Sequence, residues 1–430
     1  AVAARDVPSD QSVGDEVTGS GATLPIRRSR GYAPLPIHLG PGDAAILAVG
    51  GELKNTFAVT RDGMAFLSAH IGDMGSLAAQ RAFERSVEQM TGIHGREVEL
   101  VVADLHPDYA TTAWAERYCG ARDLPLIQVQ HHHAHALSLL AEHGVDPAVR
   151  AAVATFDGTG YGLDGQIWGG EILALGGTSD PLDFERVWHL DEYWLPGGDS
   201  AQAAPWKCAV ALLDQLGLDG AGLPPLTAAP PPELALLRQL PAAAAAGLPG
   251  LIHRTTSAGR LFDAVASLLG VRQRVSYEAQ AAMELENLAR TCPHSECANW
   301  TPGPSEPAGW RGGGGIIADG AVGRLVAAMV DGLRAGVDRV CLARRFHGGL
   351  AGLTAAALTR AAERFQAEVV GLSGGVFQNR LFARDVLAAL AEAPRPVLVH
   401  RLAPANDGGL ALGQARAGHS LLTWTKPHQS

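Results

Sequence analysis

The chain has 430 residues, 47% hydrophobic and 18% charged, enough apolar material to bury a sizeable core in one large or two moderate domains. A formal net charge of −10 and a sequence pI near 5.9 give no general attraction to phosphate backbones or anionic membranes, which argues against nucleic acid and membrane surfaces as partners. Cys119, Cys208, Cys292, Cys297 and Cys341 are scattered and read as reduced thiols of a cytoplasmic protein; no membrane-length apolar run and no signal-peptide pattern is visible.

Residues 1 to about 25 are polar and without periodicity, and the basic, proline-closed RRSRGYAPLP stretch follows, so residues 1–38 read as a tail or linker. The sequence does not begin with Met, and a piece of a longer protein is expected. From Ala45 a pattern starts: an apolar strand over 46–49, a glycine loop over 50–56, a strand over 57–59, an Asp62-Gly63 turn and a strand over 64–67. At Ala151 the plan returns, with a strand over 153–156, a loop over 157–162, an Asp164-Gly165 turn and a strand over 166–173. This repetition places one lobe at 39–150 and a second, with the C-terminal helix, at 151–425. Between them, 125–129 reads as a strand and 131–143 as a helix stopped by Gly144. Proline- and glycine-rich stretches around 224–250 and 301–315 read as surface loops with a short helix between prolines. The last hundred residues alternate: helix 322–333, strand 367–372, the Ser373-Gly374-Gly375 loop, helix 378–391, strand 397–399, loop 405–409 and a closing helix to 417. Alternation of this kind predicts an α/β fold.

Two glycine-rich turns at matching places in similar units expose successive backbone N–H groups suited to phosphate, and Ser373-Gly374-Gly375 admits a close neighbour such as a purine. Together they suggest a two-lobed actin-like ATPase of the actin, hexokinase and Hsp70 type, with nucleotide in the cleft. Gln130-His131-His132-His133-Ala134-His135 packs four histidines into five positions. His131 and His135 are one helical turn apart, so two imidazoles could reach one metal ion, while His132 and His133 point elsewhere; the plain alternative is a polar helix start with satisfied histidines. Asp157 and Asp407, each at a strand end in a glycine-flanked loop, are the best carboxylate candidates, although Asp there also caps helices and shapes turns.

At this point a resemblance becomes specific. The segments ELKNT, HIGD, DLHPDY, QHHHAHALS, FDGTGYGLDGQIWGGE, GRLFDAVASLLG, VSYEAQAAMELE, LSGGVFQNRLF and NDGGLALGQA occur in an order that resembles the C-terminal catalytic domain of the HypF family of hydrogenase-maturation carbamoyltransferases, from about Arg27 to Gly418. Antibiotic-pathway O-carbamoyltransferases and tRNA threonylcarbamoyl transferases are similar in fold and histidine pair. The resemblance implies transfer of a carbamoyl group from carbamoyl-adenylate, made in an upstream YrdC-like domain, to the C-terminal cysteine of a HypE-type partner; the alternative is O-carbamoylation of a small hydroxyl substrate. The RRSRGYAPLP stretch resembles the tail of that YrdC-like domain, so the transfer half alone is expected. The resemblance also implies one divalent metal, iron or zinc, on His131, His135, Asp157 and Asp407, with Lys54 joining the histidines in catalysis. For ATP or carbamoyl-adenylate it implies phosphate contacts from Lys54, Asn55, Thr56, Gly158, Thr159 and Gly160, contacts to ribose and base from Gly259, Asp263 and Glu278, and Gly374, Gly375 and Asn379 beside the adenine. Asp263 also reads as an ordinary polar residue of an apolar helix. Two departures stand out: AQAAPWK at 201–207 lacks the arginine-glutamate pair common in relatives, and Ala279 stands where they commonly have glycine.

Overall fold

The computed structural model describes residues 4–5, 24–29, 32–33, 35–178, 180–197, 199–248, 250–293, 295–297, 300 and 320–424. Its first sheet has six strands in the order Pro36–His38, Met64–Leu67, Ala58–Arg61, Ile46–Ala48, Leu100–Asp104, Leu126–Val129. The first three junctions are antiparallel and the last two parallel. Asp62 and Gly63 both take positive φ, 50° and 70°, which matches the twist of the hairpin they close. Helices Leu77–His94 and Ala110–Gly120 make the crossovers that parallel strands require. All five residues of Leu100–Asp104 are buried, as an apolar run in a parallel sheet should be.

The second sheet repeats this plan. Ala151–Tyr161, Ile167–Leu175 and Phe184–His189 form an antiparallel meander, and Val369–Ser373 and Val397–Val399 add to Ala151–Tyr161 in parallel, while Ile252–Thr255 and Tyr193–Pro196 extend the other side. Each unit ends in a helix, His131–Glu142 for the first and Leu410–Trp424 for the second, and the two helices pack on one another. Gly413 makes the crossing possible: a Cβ there would lie 1.8 Å from the Ala134 carbonyl oxygen. The C-terminal helix also packs on strands Ile46–Ala48 and Leu100–Asp104, so it joins the two units.

Several expectations from sequence are revised. The anticipated loop after Phe156 is strand, which continues to Tyr161. Between the pairs Phe156↔Gly170 and Gly160↔Trp168, residues 157–159 face Gly169 alone, so the glycine-rich stretch is a bulge rather than a turn. Helix Arg339–Phe365 was not foreseen, because its small residues hide the apolar periodicity. The 224–250 region holds two helices, Pro224–Ala228 and Pro231–Ala245. Cys341, distant in sequence, comes together with the neighbouring Cys292 and Cys297, and no disulfide is formed. The 301–315 stretch and most of the N-terminal tail lie outside the described residues. Among the described residues no helix is long and apolar enough to cross a membrane.

Candidate active site

Gln130 starts the histidine helix by accepting a hydrogen bond from the His133 N–H, 2.9 Å, at its side-chain oxygen. One turn of helix then sets His131 and His135 side by side, both buried. Their Nε2 atoms lie 3.5 and 2.9 Å from Asp157 Oδ2, and 3.9 and 3.8 Å from Asp407 Oδ1. The bulge in the second sheet presents Asp157, and the helical turn Asp407–Gly409, started by the Asn406 side chain, presents Asp407. One ligand atom from each of the four residues fits within a mutual distance of 4.8 Å. The set suits a divalent cation: two carboxylates match its charge, and the buried His131 Nε2, facing this space, has no hydrogen-bond partner.

Burial works against charge on every member, so its partners decide each state. Burial lowers His131, but Asp104, Asp157 and Asp407 outweigh it and hold the imidazole well above its ordinary value. Burial raises Asp157, but His131 and His135 beside it bring it well below the carboxylate range. Asp407 is raised by burial and by Asp157 beside it. The positive charge that these partners favour on His131 is one that a bound cation would supply in its place.

Sequence reasoning assigned no role to Asp104, although it stands in the quoted DLHPDY segment. Its Oδ2 lies 2.8 Å from His131 Nδ1, and its Oδ1 accepts from the His106 N–H at 2.9 Å. In the neutral ring that a metal would bind, Asp104 keeps the proton on Nδ1, which leaves the Nε2 lone pair aimed at the four-donor space. Glu171, from the WGGE segment, was missed as well: it accepts from the Gly169 and Gly170 N–H groups, 2.6 Å each, from Thr256 Oγ1, and from Arg186 at 2.9 Å. It braces the bulge and stands 3.7 Å from His132 Nε2. His132 receives a hydrogen bond from Gln130 at Nδ1, 3.2 Å, and burial keeps it neutral, well below its ordinary value. His133 packs on Phe184 with ring centroids 4.5 Å apart, and burial lowers it to about 3.

Lys54 takes φ 48°, and its ammonium lies 2.5 Å from Glu278. Burial opposes its charge, but Asp407, Glu278 and Asp157 raise it, so the cation faces the same cluster. Asn55 shapes the loop, donating to the Val49 and Gly51 carbonyls at 2.9 and 2.8 Å, and Thr56 donates to the Gly408 carbonyl at 3.0 Å, tying the loop to the Asp407 turn. Gly158, Thr159 and Gly160 run beside the histidines: a Cβ at Gly160 would lie 2.4 Å from His132 Cε1. Ser257 Oγ holds the Gly158 carbonyl at 2.6 Å, and Gly259 allows its helix to approach, since a Cβ there would lie 2.7 Å from Gly158 Cα. Arg260, a cation that sequence did not single out, has its guanidinium 3.3 Å from a Cβ position at Gly158 and pairs with buried Asp263 at 3.0 Å. Burial, with Glu278 adding to it, holds Asp263 above its ordinary value against the pull of Arg260. Gly374, at φ 95°, passes so close to Phe156 that a Cβ would lie 2.2 Å from its carbonyl oxygen, and one at Gly375 would lie 2.8 Å from Asp157 Oδ1. Asn379 caps helix Arg380–Ala389 through Oδ1, and its amide contacts His347 Nε2 at 3.1 Å, so both of its polar ends are already engaged.

Comparisons with known proteins give the family of the chain. Residues 41–142 match the family profile described as the HypF Kae1-like domain, and residues 153–414 match that of the carbamoyltransferase Kae1-like domain, second subdomain. The chain is 36% identical over 435 residues to carbamoyltransferase HypF2 of Cupriavidus necator, covering 95% of this chain and 51% of that protein. It is 39% identical over 406 residues to carbamoyltransferase HypF of Rhodobacter capsulatus, covering 93% and 50%. A HypF homolog of Cupriavidus necator is 35% identical over 391 residues, covering 87% of this chain and 92% of that protein. The chain therefore spans about half the length of the first two relatives and most of the third. The crystal structure of full-length HypF in the phosphate- and nucleotide-bound form superposes with a TM-score of 0.80 at 34% identity, covering 94% of this chain and 59% of that one.

Proposed function

The chain belongs to the HypF carbamoyltransferase family, and from that premise we propose that it transfers the carbamoyl group of carbamoyl-adenylate to the C-terminal cysteine thiol of a HypE-type protein, in maturation of nickel-iron hydrogenase. The observation that carries the proposal is the convergence of His131, His135, Asp157 and Asp407 beside the Lys54 ammonium, in a buried space between the two units. In the reaction the thiolate sulfur attacks the carbamoyl carbon, the bond from that carbon to the phosphate oxygen breaks, and AMP leaves with the bonding pair. The thiol proton goes to solvent or base, and the product is a thiocarbamate ester.

Each group has a task under this reading. His131, His135, Asp157 and Asp407 would hold the divalent metal, iron or zinc, which when bound supplies Lewis acidity toward a carbamoyl or phosphate oxygen. Lys54 and Arg260 offset phosphate charge beside the Gly158–Gly160 bulge. Asp104 keeps His131 in the tautomer that leaves Nε2 open. Gly374 and Gly375 let their loop pack on Phe156 and Asp157, and the adenine would lie beside that loop. Burial of the cluster keeps water from the mixed anhydride. The test adds synthetic carbamoyl-adenylate and a HypE-type protein to the chain and measures the partner's C-terminal peptide by mass spectrometry. A carbamoyl mass on the terminal cysteine supports the proposal; carbamoylation of a small alcohol with an unmodified partner overturns it.

A further inference from the structure

Outside the active site, the three converging cysteines form a second cluster with metal-binding geometry. Cys292 follows helix Gln280–Arg290, Cys297 ends the helical turn Ser295–Cys297, and Cys341 lies in the first turn of helix Arg339–Phe365. Cys297 is buried and the other two are half-buried. The three sulfurs lie within 4.8 Å of one another, and Cys292 and Cys341 are 3.8 Å apart.

We propose that these three thiolates bind one zinc ion, as a structural site separate from the His131, His135, Asp157 and Asp407 centre. Two sulfurs on one tetrahedral zinc, each at about 2.3 Å, are about 3.8 Å apart. A disulfide requires about 2.0 Å and would leave a third thiol stranded in the cluster. A three-sulfur donor set selects a soft or borderline cation over magnesium or calcium. The fourth coordination position is left to a donor outside the three. Binding of zinc displaces the thiol protons to solvent and involves no redox change. The ion would clamp the end of helix Gln280–Arg290 to the start of helix Arg339–Phe365, whose His347 contacts Asn379.

A thiol-directed mercurial with a colorimetric zinc indicator separates the two sites, because only the cysteine site holds zinc through sulfur. Applied to the full chain after zinc loading, it should release about one equivalent of zinc. Release should persist in His131→Ala, which leaves the cysteines untouched, and in Cys208→Ala, and should vanish in the Cys292→Ser/Cys341→Ser double variant. Cobalt added to the metal-stripped wild-type chain should give a thiolate-to-metal charge-transfer band, a readout that needs no cysteine variant to fold. Mercuration without zinc release, a cobalt spectrum without that band, or a Cys292–Cys341 disulfide in a peptide map of the purified chain would each overturn the proposal.

Discussion

Replacing Asp104 with Asn tests how the proposed active-site metal would be held. The carboxylate divides its oxygens between the His106 N–H and His131 Nδ1, at 2.9 and 2.8 Å. Asparagine has the same shape but only one acceptor. If its oxygen stays on the His106 N–H, its NH2 group faces His131 Nδ1; the ring must then move its proton to Nε2, the atom that should ligate the metal. If the amide flips, the His106 N–H loses its acceptor instead. Partners that orient a ligating histidine typically change metal affinity by about 10–100-fold, which corresponds to roughly 1.4–2.7 kcal/mol. Competition against a chromogenic chelator, with cobalt as reporter ion because its spectrum distinguishes nitrogen-oxygen from thiolate ligation, should show Asp104→Asn weakened within that range. An affinity within about twofold of wild type would refute the positioning role.

Two further predictions concern stability. Ala279 holds φ 60° at the start of helix Gln280–Arg290, a conformation that costs an L-residue about 1–2 kcal/mol; against the extra backbone freedom glycine gains on unfolding, Ala279→Gly should stabilise the chain by about 0.5–1 kcal/mol in urea titrations, and an unchanged or lower midpoint would count against the strain. Burial lowers His347 from its ordinary 6.5 to about 4, with Arg344 adding to the shift and the Ala343 carbonyl opposing it, so the unfolded chain binds the proton first and stability is lost as pH falls from above 6.5 toward 4. Between pH 7.5 and 5 this group should cost the wild type about 2 kcal/mol, a loss missing from His347→Leu even if that variant is less stable throughout; parallel pH profiles for the two proteins would exclude it.

The duplicated hairpins were legible because Asp62-Gly63 and Asp164-Gly165 punctuate short apolar runs, and the histidine pair because its spacing equals one helical turn. The bulge at 157–159 was not legible: glycine-rich sequence reads as a turn, and only pairing with the neighbouring strand shows that it stays in the sheet. Asp104 and Glu171 lay inside recognised segments, yet their roles depend on contacts to His131 27 positions away and to Thr256 85 positions away. The cysteine cluster was hidden for the same reason, with Cys341 49 positions beyond Cys292. Local pattern reports periodicity and turns, whereas the partners of a buried charge are set by tertiary packing.

The proposed chemistry requires a metal centre on His131 and His135 with Asp157 and Asp407. Elemental analysis of four single variants, His131→Ala, His132→Ala, His133→Ala and His135→Ala, tests it most directly. The first and last should each lose about one metal equivalent relative to wild type, while His132→Ala and His133→Ala keep the wild-type content. Full metal content in His131→Ala and His135→Ala would contradict the assignment of the site, and with it the Lewis-acid chemistry proposed there.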